Sequence, residues 1–356
     1  MFMTAEASEA RPRPNLAAVA ALAGVSRSTA SLAFSGAGPV SQATRDKVLA
    51  AAEELNYAGP DPRAQSLRRG RSGIIGVVIE DRLRDAFRDP INIAMLDGIA
   101  DETGSTGAGL LLLTETGDDR ASIASAPMDA VILVGCSTRL EETVGVLRQR
   151  GMPIVAIEAP EMESVLSIGL DNRVASATAA KHLRDLGHEH VAVVTLPLED
   201  TRSTGPLTPD WEHSATAFTT LERLRGVRDV FGVFEGFVAA GSTISAGRDA
   251  GWALLLQLRP PTAIIAQSDL LALGVIRAAK ELGMSVPDDL SVVGFDGVRS
   301  DEAGGYDLTT LIQPAVEKGR AAGRAVLGML EGEPQESVEF TSAFHRGNTT
   351  AAPPVH

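Results

Sequence analysis

"AGVSRSTASLAFSG" (Ala23–Gly36) sets a glycine, a serine and an arginine ahead of a short stretch with Ala30 and Phe34 at helical spacing. Gly24 supplies the backbone freedom of a tight turn, and Ser26 can cap the helix that follows. Upstream, Leu16, Val19, Ala20 and Leu22 form one apolar stripe. Downstream, "QATRDKVLAAAEELNY" (42–57) carries Val48, Leu49, Ala52 and Leu55 behind a capping Ser41. A turn followed by a short helix with an arginine at its start is a unit that usually lies in a DNA groove. "AGPDP" (58–62) then breaks the pattern with two prolines and a glycine.

The charge is divided to match. The chain of 356 residues has a net charge of −14. Residues 1–72 nevertheless hold nine Lys/Arg against six Asp/Glu, net +3, and the remainder 23 against 40, net −17. The basic excess is densest in "DPRAQSLRRGR" (61–71). Charge repulsion is screened over roughly 8–10 Å at physiological salt. A small basic head can therefore bind DNA while an acidic body stays outside the groove, and the acidity of that body limits non-specific binding.

From Gly73 the rhythm changes. The apolar runs "IIGVVI" (74–79), "LLLL" (110–113), "AVILV" (130–134), "IVAI" (154–157), "VAVVT" (191–195), "AIIA" (263–266) and "SVVGF" (291–295) alternate with helical segments. Continuous apolar strands joined by helices imply parallel sheets covered on both faces. Their number over more than 250 residues implies two doubly wound lobes. Such sheets bind ligands at the carboxyl ends of their strands. The residues there are Glu80, Asp81, Glu115, Ser137, Glu158, Gln267, Ser268 and Asp296. This carboxylate-rich row suits a ligand with many hydroxyls.

The segment from Asn15 to Tyr57 resembles the LacI/GalR family of bacterial transcription regulators. The resemblance continues through "SLRRGRSGIIGVV", "LDNRVASATAAKHLRDLGHEHVAVV", "SDLLALGVIRAAKELGMSVPDDLSVVGFDGV", "LTTLIQP" and "HRGNTT". It implies an all-α helix-turn-helix head, a hinge helix, and an α/β core of two parallel-sheet lobes of periplasmic-binding-protein type that exchange chain three times. The expected divisions are a disordered tail (1–14), the head (15–60), the hinge (61–71), a first lobe (72–169 and 313–338) and a second lobe (170–312 and 339–356). The implied protein is a cytoplasmic homodimer and most readily a repressor. It binds a near-palindromic double-stranded operator and answers to a sugar-like or other polyhydroxy effector in the cleft between lobes. It has no cofactor, metal or membrane partner. Two rival readings are a solute-binding protein with no DNA role and an enzyme acting on a glycoside.

By the same resemblance Arg27 and Ser28 read base edges, while Ser26, Thr29 and Ser31 bond phosphates. An arginine can bond guanine O6 and N7 together. In the hinge, Leu67 wedges into a minor-groove base step, Ala64 packs on its partner copy, and Arg63 lies near the groove. Leu32 and Ser35 depart from the family's usual arginine and asparagine, and the linker between Tyr57 and Leu67 is one residue longer than common. In the cleft the matched positions are Glu158, Arg223, Ser268 and Asp296, with Asp269 read as a helix-start residue. The aromatic that some relatives place near "AGSTISAG" (240–247) is absent. His188 and His190 read as an exposed turn and not a metal site. "GSTGAG" (104–109) follows a helix and not a strand, so it is no phosphate loop. The lone Cys136 excludes an internal disulfide and reads as a small residue at the core's edge. No catalytic nucleophile and base stand at recognisable spacing.

Overall fold

The computed structural model of the chain describes residues 14–35, 38–59, 70–79, 86–114, 120–134, 140–199, 201–299 and 303–354. The chain divides into two compact units, residues 1–72 and 73–356.

In the first unit, α1 (Leu16–Ala23) is capped by Asn15, whose side chain accepts from the Ala18 N–H at 3.0 Å. It ends at Gly24, which takes φ 67°, a left-handed conformation that costs glycine no Cβ clash. Ser26 Oγ accepts from the Thr29 N–H at 3.1 Å at the head of α2 (Arg27–Ser35). Ser41 does the same for Thr44 at 3.3 Å ahead of α3 (Gln42–Glu54). Val19, Ala20, Ala30, Ala33, Val48, Ala51 and Ala52 are buried between the helices. The alanines bring the helices close, and Phe34 closes the packing edge-on against Tyr57, 5.7 Å between ring centres. Two expected stripe residues differ: Leu22 and Leu49 are 47% and 45% exposed. A helix buries positions i, i+3, i+4 and i+7. Leu16, Val19, Ala20 and Ala23 fill that stripe in α1, so Leu22 falls beside it. In α3 the small Ala51 and Ala52 take the inner face and turn Leu49 outward.

The second unit holds two sheets. The first contains, in spatial order, β12-β5-β4-β3-β1-β2, all parallel. In chain order these are β1 (Ile74–Ile79), β2 (Gly109–Thr114), β3 (Ala130–Val134), β4 (Ile154–Ile157), β5 (Leu166–Leu170) and β12 (Val338–Phe340). The second is ordered β13-β11-β10-β9-β6-β8-β7. It comprises β6 (Val191–Thr195), β7 (Gly205–Pro206), β8 (Glu235–Val238), β9 (Ala263–Ala266), β10 (Ser291–Asp296), β11 (Thr309–Ile312) and β13 (Ala343–His345). Only its edge strands β7 and β13 run antiparallel. The seven apolar runs read from the sequence all form strands. The side chains of β3, β4, β6, β9 and β10 are buried throughout, as expected where helices cover both faces.

The chain passes between sheets three times: after β5, between β11 and α12 (Ala315–Glu331), and between β12 and β13. Pairing of Val338, Glu339 and Phe340 with Ile168, Gly169 and Leu170 carries the first sheet through residues 170 and 340, slightly past the bounds expected at 169 and 338. Two crossings are laced together by Asp171. Its carboxylate caps no helix and instead accepts from Ser342 N and Oγ, both at 2.8 Å.

Helix α12 packs on α4 (Pro90–Gly104) at backbone distance. A Cβ on Gly98 would lie 2.1 Å from the Val316 carbonyl oxygen and 2.8 Å from the Arg320 nitrogen. Gly98→Val therefore forces the two helices apart. It should lower the unfolding free energy by about 3 kcal/mol, read from denaturant titration. An unchanged midpoint would show that α12 can slide aside.

Candidate functional site

In the first unit the outer side of α2 presents Ser26, Arg27, Ser28 and Leu32, all exposed, with Thr29 and Ser31 half-buried behind them. Ser26 Oγ also lies 2.7 Å from Ser28 Oγ and 2.8 Å from Thr29 Oγ1. The helix start thus offers a cluster of hydroxyls and one guanidinium on a surface of small residues. Those are the groups that hydrogen-bond phosphates and guanine. Arg63, Ala64 and Leu67 lie outside the described residues, as do Glu80, Asp81, Glu115, Cys136 and Ser137.

In the second unit a cleft of about 640 Å³, its open mouth included, opens between the two sheets. All four cleft residues expected from the sequence line it: Glu158, Arg223, Ser268 and Asp296. Glu158 and Asp296 sit at the ends of β4 and β10 in strained backbone, with φ 59° and 122°. Ser268 caps α11 (Asp269–Glu281), accepting from Leu271 N at 3.2 Å and from Ser242 Oγ at 2.9 Å.

The floor of the cleft is a closed ring of polar contacts. Lys318, on α12 and fully buried, donates to Glu158 Oε1 and to Gln313 Oε1. Gln313 Nε2 donates to Asp296 Oδ1 at 2.5 Å. From the other side, Asn172 Nδ2 donates to Glu158 Oε2 at 2.8 Å. Arg223, on α9 (Phe218–Phe231) and only 3% exposed, lies 3.6 Å from the same oxygen. Arg223 also donates to Asn172 Oδ1 at 2.8 Å and to the Gln267 carbonyl at 2.5 Å. Its guanidinium stacks 3.6 Å above Phe295, next to Asp296. The ring thus ties β4 and α12, which pack on the first sheet, to the helix starts and strand end of the second.

Electrostatics follow from this geometry. Burial would raise the Glu158 carboxyl, but Lys318, Arg223 and Asn172 overcome that and hold it at about 2. Asp296 goes the other way. Burial and the neighbouring carboxyls of Asp269 and Asp89 push it well above the usual carboxylate range, against the pull of Arg223 and Gln313. Asp269 is raised to about 7 by burial, although Thr310 Oγ1 and Val298 N each donate to it at 2.6 Å.

Two sequence readings change here. Gln267 does not face a ligand: its amide accepts from Leu196 N and donates to the Thr220 carbonyl, both at 3.1 Å. His188 is not in an exposed turn. It is 2% exposed, with Nδ1 2.8 Å from Thr262 Oγ1 and Nε2 2.9 Å from the Ala351 carbonyl. The chain near Ala351 covers it, which the local "GHEH" pattern cannot reveal. Among the described residues no group of acidic, histidine and cysteine side chains could hold a metal ion, and no single helix is long and apolar enough to cross a membrane.

Comparison with known proteins connects both units to one family. Residues 15–59 match the model of bacterial regulatory proteins of the lacI family, and residues 180–350 match a periplasmic binding protein-like domain. The HTH-type transcriptional regulator IpsA of Corynebacterium glutamicum is 34% identical over 350 residues, covering 94% of this chain and 97% of that one. The HTH-type transcriptional repressor CytR of Escherichia coli is 30% identical, covering 94% and 96%. Among solved structures, a lacI-family transcriptional regulator from Corynebacterium glutamicum superposes with a TM-score of 0.70 at 30% identity, covering 94% of this chain and 98% of that one. The lac repressor dimer bound to operator superposes with a TM-score of 0.76 at 23% identity over 96% and 100%, a likeness of fold.

Proposed function

The chain belongs to the lacI family of bacterial regulatory proteins, and on that premise we propose that it is a cytoplasmic, dimeric repressor whose N-terminal helices read a near-palindromic operator and whose cleft takes an uncharged polyhydroxy effector. The observation that carries this reading is the pairing of two separate sites in one chain. One is a helix start bearing Arg27 among exposed hydroxyls; the other is a cleft lined by residues from two sheets. The solved structures of a transcriptional regulator CelR–cellobiose complex and of the lac repressor dimer bound to operator are the precedents for sugar and DNA. Arg27 and Ser28 would contact bases, Ser26, Thr29 and Ser31 phosphates, and Leu67 and Arg63 the minor groove, with Ala64 packing on its partner copy. The chain would divide, as the sequence suggests, into tail, head, hinge and two lobes. An effector acts only through its different affinities for two lobe arrangements. The cleft binds without turnover, so conversion of a bound sugar by the purified protein would overturn this assignment.

Selection of duplex DNA from a random pool by the purified chain tests the proposal, with a near-palindrome as the expected product. Arg27→Ala should then lose roughly 10–100-fold of the preference at one base pair of each half-site, measured by competition binding. Binding that weakens equally on all sequences would place Arg27 on a phosphate instead.

A further inference from the structure

A second groove, about 970 Å³ with its open mouth included, lies where the chain crosses between the sheets. Its floor is one face of β5 and β12. Leu166, Ile168 and Leu170 are buried on the inner face of β5, whereas Ser167 and Gly169 between them are half-buried. Glu339 stands opposite Gly169 in register, and β12 is the edge of the sheet among the described residues. The facing wall is Val174 on α7 (Asn172–Asp185) with Phe218 and Glu222 on α9. Val174 and Val338 are 64% and 44% exposed. The rim is acidic. Among the described residues its one cation, Arg173, is paired with Asp229 at 2.6 Å. Glu222 has Arg225 at 2.7 Å, but Glu161 and Glu339 have no partner among the described residues. Gly169 is not demanded by the chain itself. Its backbone is not left-handed, and the nearest atoms to a Cβ there would be those of Glu339, from 3.4 Å. A glycine inside a strand with neither requirement marks a place where another backbone comes close.

We infer that this groove docks a basic, extended segment of a partner protein, whose backbone passes over Gly169, whose cationic side chains meet Glu161 and Glu339, and whose apolar side chains meet Val174 and Val338. An extended segment sends successive side chains to opposite sides, so alternating basic and apolar residues reach both kinds of contact. An apolar centre with a charged rim is the anatomy of a protein interface, and the unpaired carboxylates steer a positive partner and repel an acidic one. Small ligands are mostly enclosed by their pockets, whereas this groove leaves its valines open to solvent. Its walls come from elements packed on both sheets, so an occupant touches both lobes where they join. The groove is separate from the effector cleft and from the helix that reads DNA, and its role does not depend on either.

Fluorescence anisotropy of the full chain with a dye-bearing peptide of alternating arginine and valine, blocked at both ends, tests the inference. The wild type should bind it roughly 10-fold or more tightly than a peptide of alternating arginine and serine or one of alternating glutamate and valine. Gly169→Val fills the floor with a residue suited to strands and should weaken binding roughly 10-fold by steric exclusion. Replacing Glu161→Gln and Glu339→Gln together should weaken it roughly 3–10-fold. These two positions are exposed, so the pair carries the test if valine lowers the melting temperature. Replacing Glu189→Gln and Asp288→Asn together removes equal charge outside the groove and should leave the affinity unchanged. Equal losses in the two double variants would overturn the inference, because the acidic body as a whole would then attract the peptide. Unchanged affinity in a folded Gly169→Val, equal binding of the serine peptide, or no binding of the valine peptide would overturn it as well. Displacement of the peptide by an equal concentration of spermidine would replace the protein segment with a small organic cation.

Discussion

Lys318→Met should lower the unfolding free energy by about 3–5 kcal/mol at neutral pH, the range found when one partner of a buried ion pair is removed. The ammonium of Lys318 is wholly buried and bridges Glu158 and Gln313. Methionine fills most of its volume, so the loss is chiefly that of charge and hydrogen bonds and not of packing. Glu158 would keep Asn172 and Arg223 but carry its charge in the core with less support. The acid limb of the stability curve separates charge from packing. The folded carboxyl of Glu158 is depressed to about 2 from an ordinary 4.5. A depressed carboxylate contributes stability that is present above its unfolded value and lost as pH falls through the folded one, here on the order of 3 kcal/mol. In the variant the folded value rises, so that contribution shrinks. Urea unfolding of the two proteins should therefore differ most near neutrality and converge as the solution is acidified below about pH 4. A difference that stays constant with pH would mean that Lys318 acts by filling space.

Much of the cleft was legible in the sequence because strand ends are legible. Glu158, Ser268 and Asp296 each follow a short apolar run, and a parallel sheet places such residues at its carboxyl edge. Lys318 was not legible. It stands on an amphipathic helix where a lysine ordinarily faces water, and its partner Glu158 is 160 residues away. Asn92, which also lines the cleft, lies in "PINIAM", where neighbouring apolar residues make a polar side chain look incidental. The strands that escaped notice, β5, β7, β8, β11, β12 and β13, have five residues or fewer, and β5 alternates buried with half-buried positions. A run of that kind gives no continuous apolar signal. The helices of the first unit were readable from their caps and turn glycine, whereas Leu22 and Leu49 show that hydrophobicity alone does not choose the buried face when alanines can pack closer.

The carboxyl pair beneath β10 should give the protein an inverse pH dependence above the acid range. Asp269 is fully buried at the start of α11, and burial raises its carboxyl from 3.8 to about 7. A group raised in the folded state contributes stability that is complete below its unfolded value and lost as pH climbs to the folded one. Between about pH 4 and 7 the loss from Asp269 is on the order of 4 kcal/mol, and Asp296 adds to it in the same direction. The histidines slope the opposite way. Burial lowers His182 and His188, so their contribution is present above their unfolded value and lost on acidification. The comparison of wild type with Asp269→Asn isolates the carboxyl, because both proteins share those histidines. Asparagine puts an NH2 donor where one of the two carboxyl oxygens accepts from Thr310 or Val298, so the variant starts less stable at low pH. Its unfolding free energy should nonetheless fall less steeply between about pH 5 and 7, and the two curves should approach one another. Parallel curves would mean that Asp269 stays ionised throughout. Because Asp269 anchors Val298, two residues beyond Asp296, its ionisation also alters the backbone that presents Asp296 to the cleft. Effector affinity should follow the same titration in the wild type and lose it in Asp269→Asn.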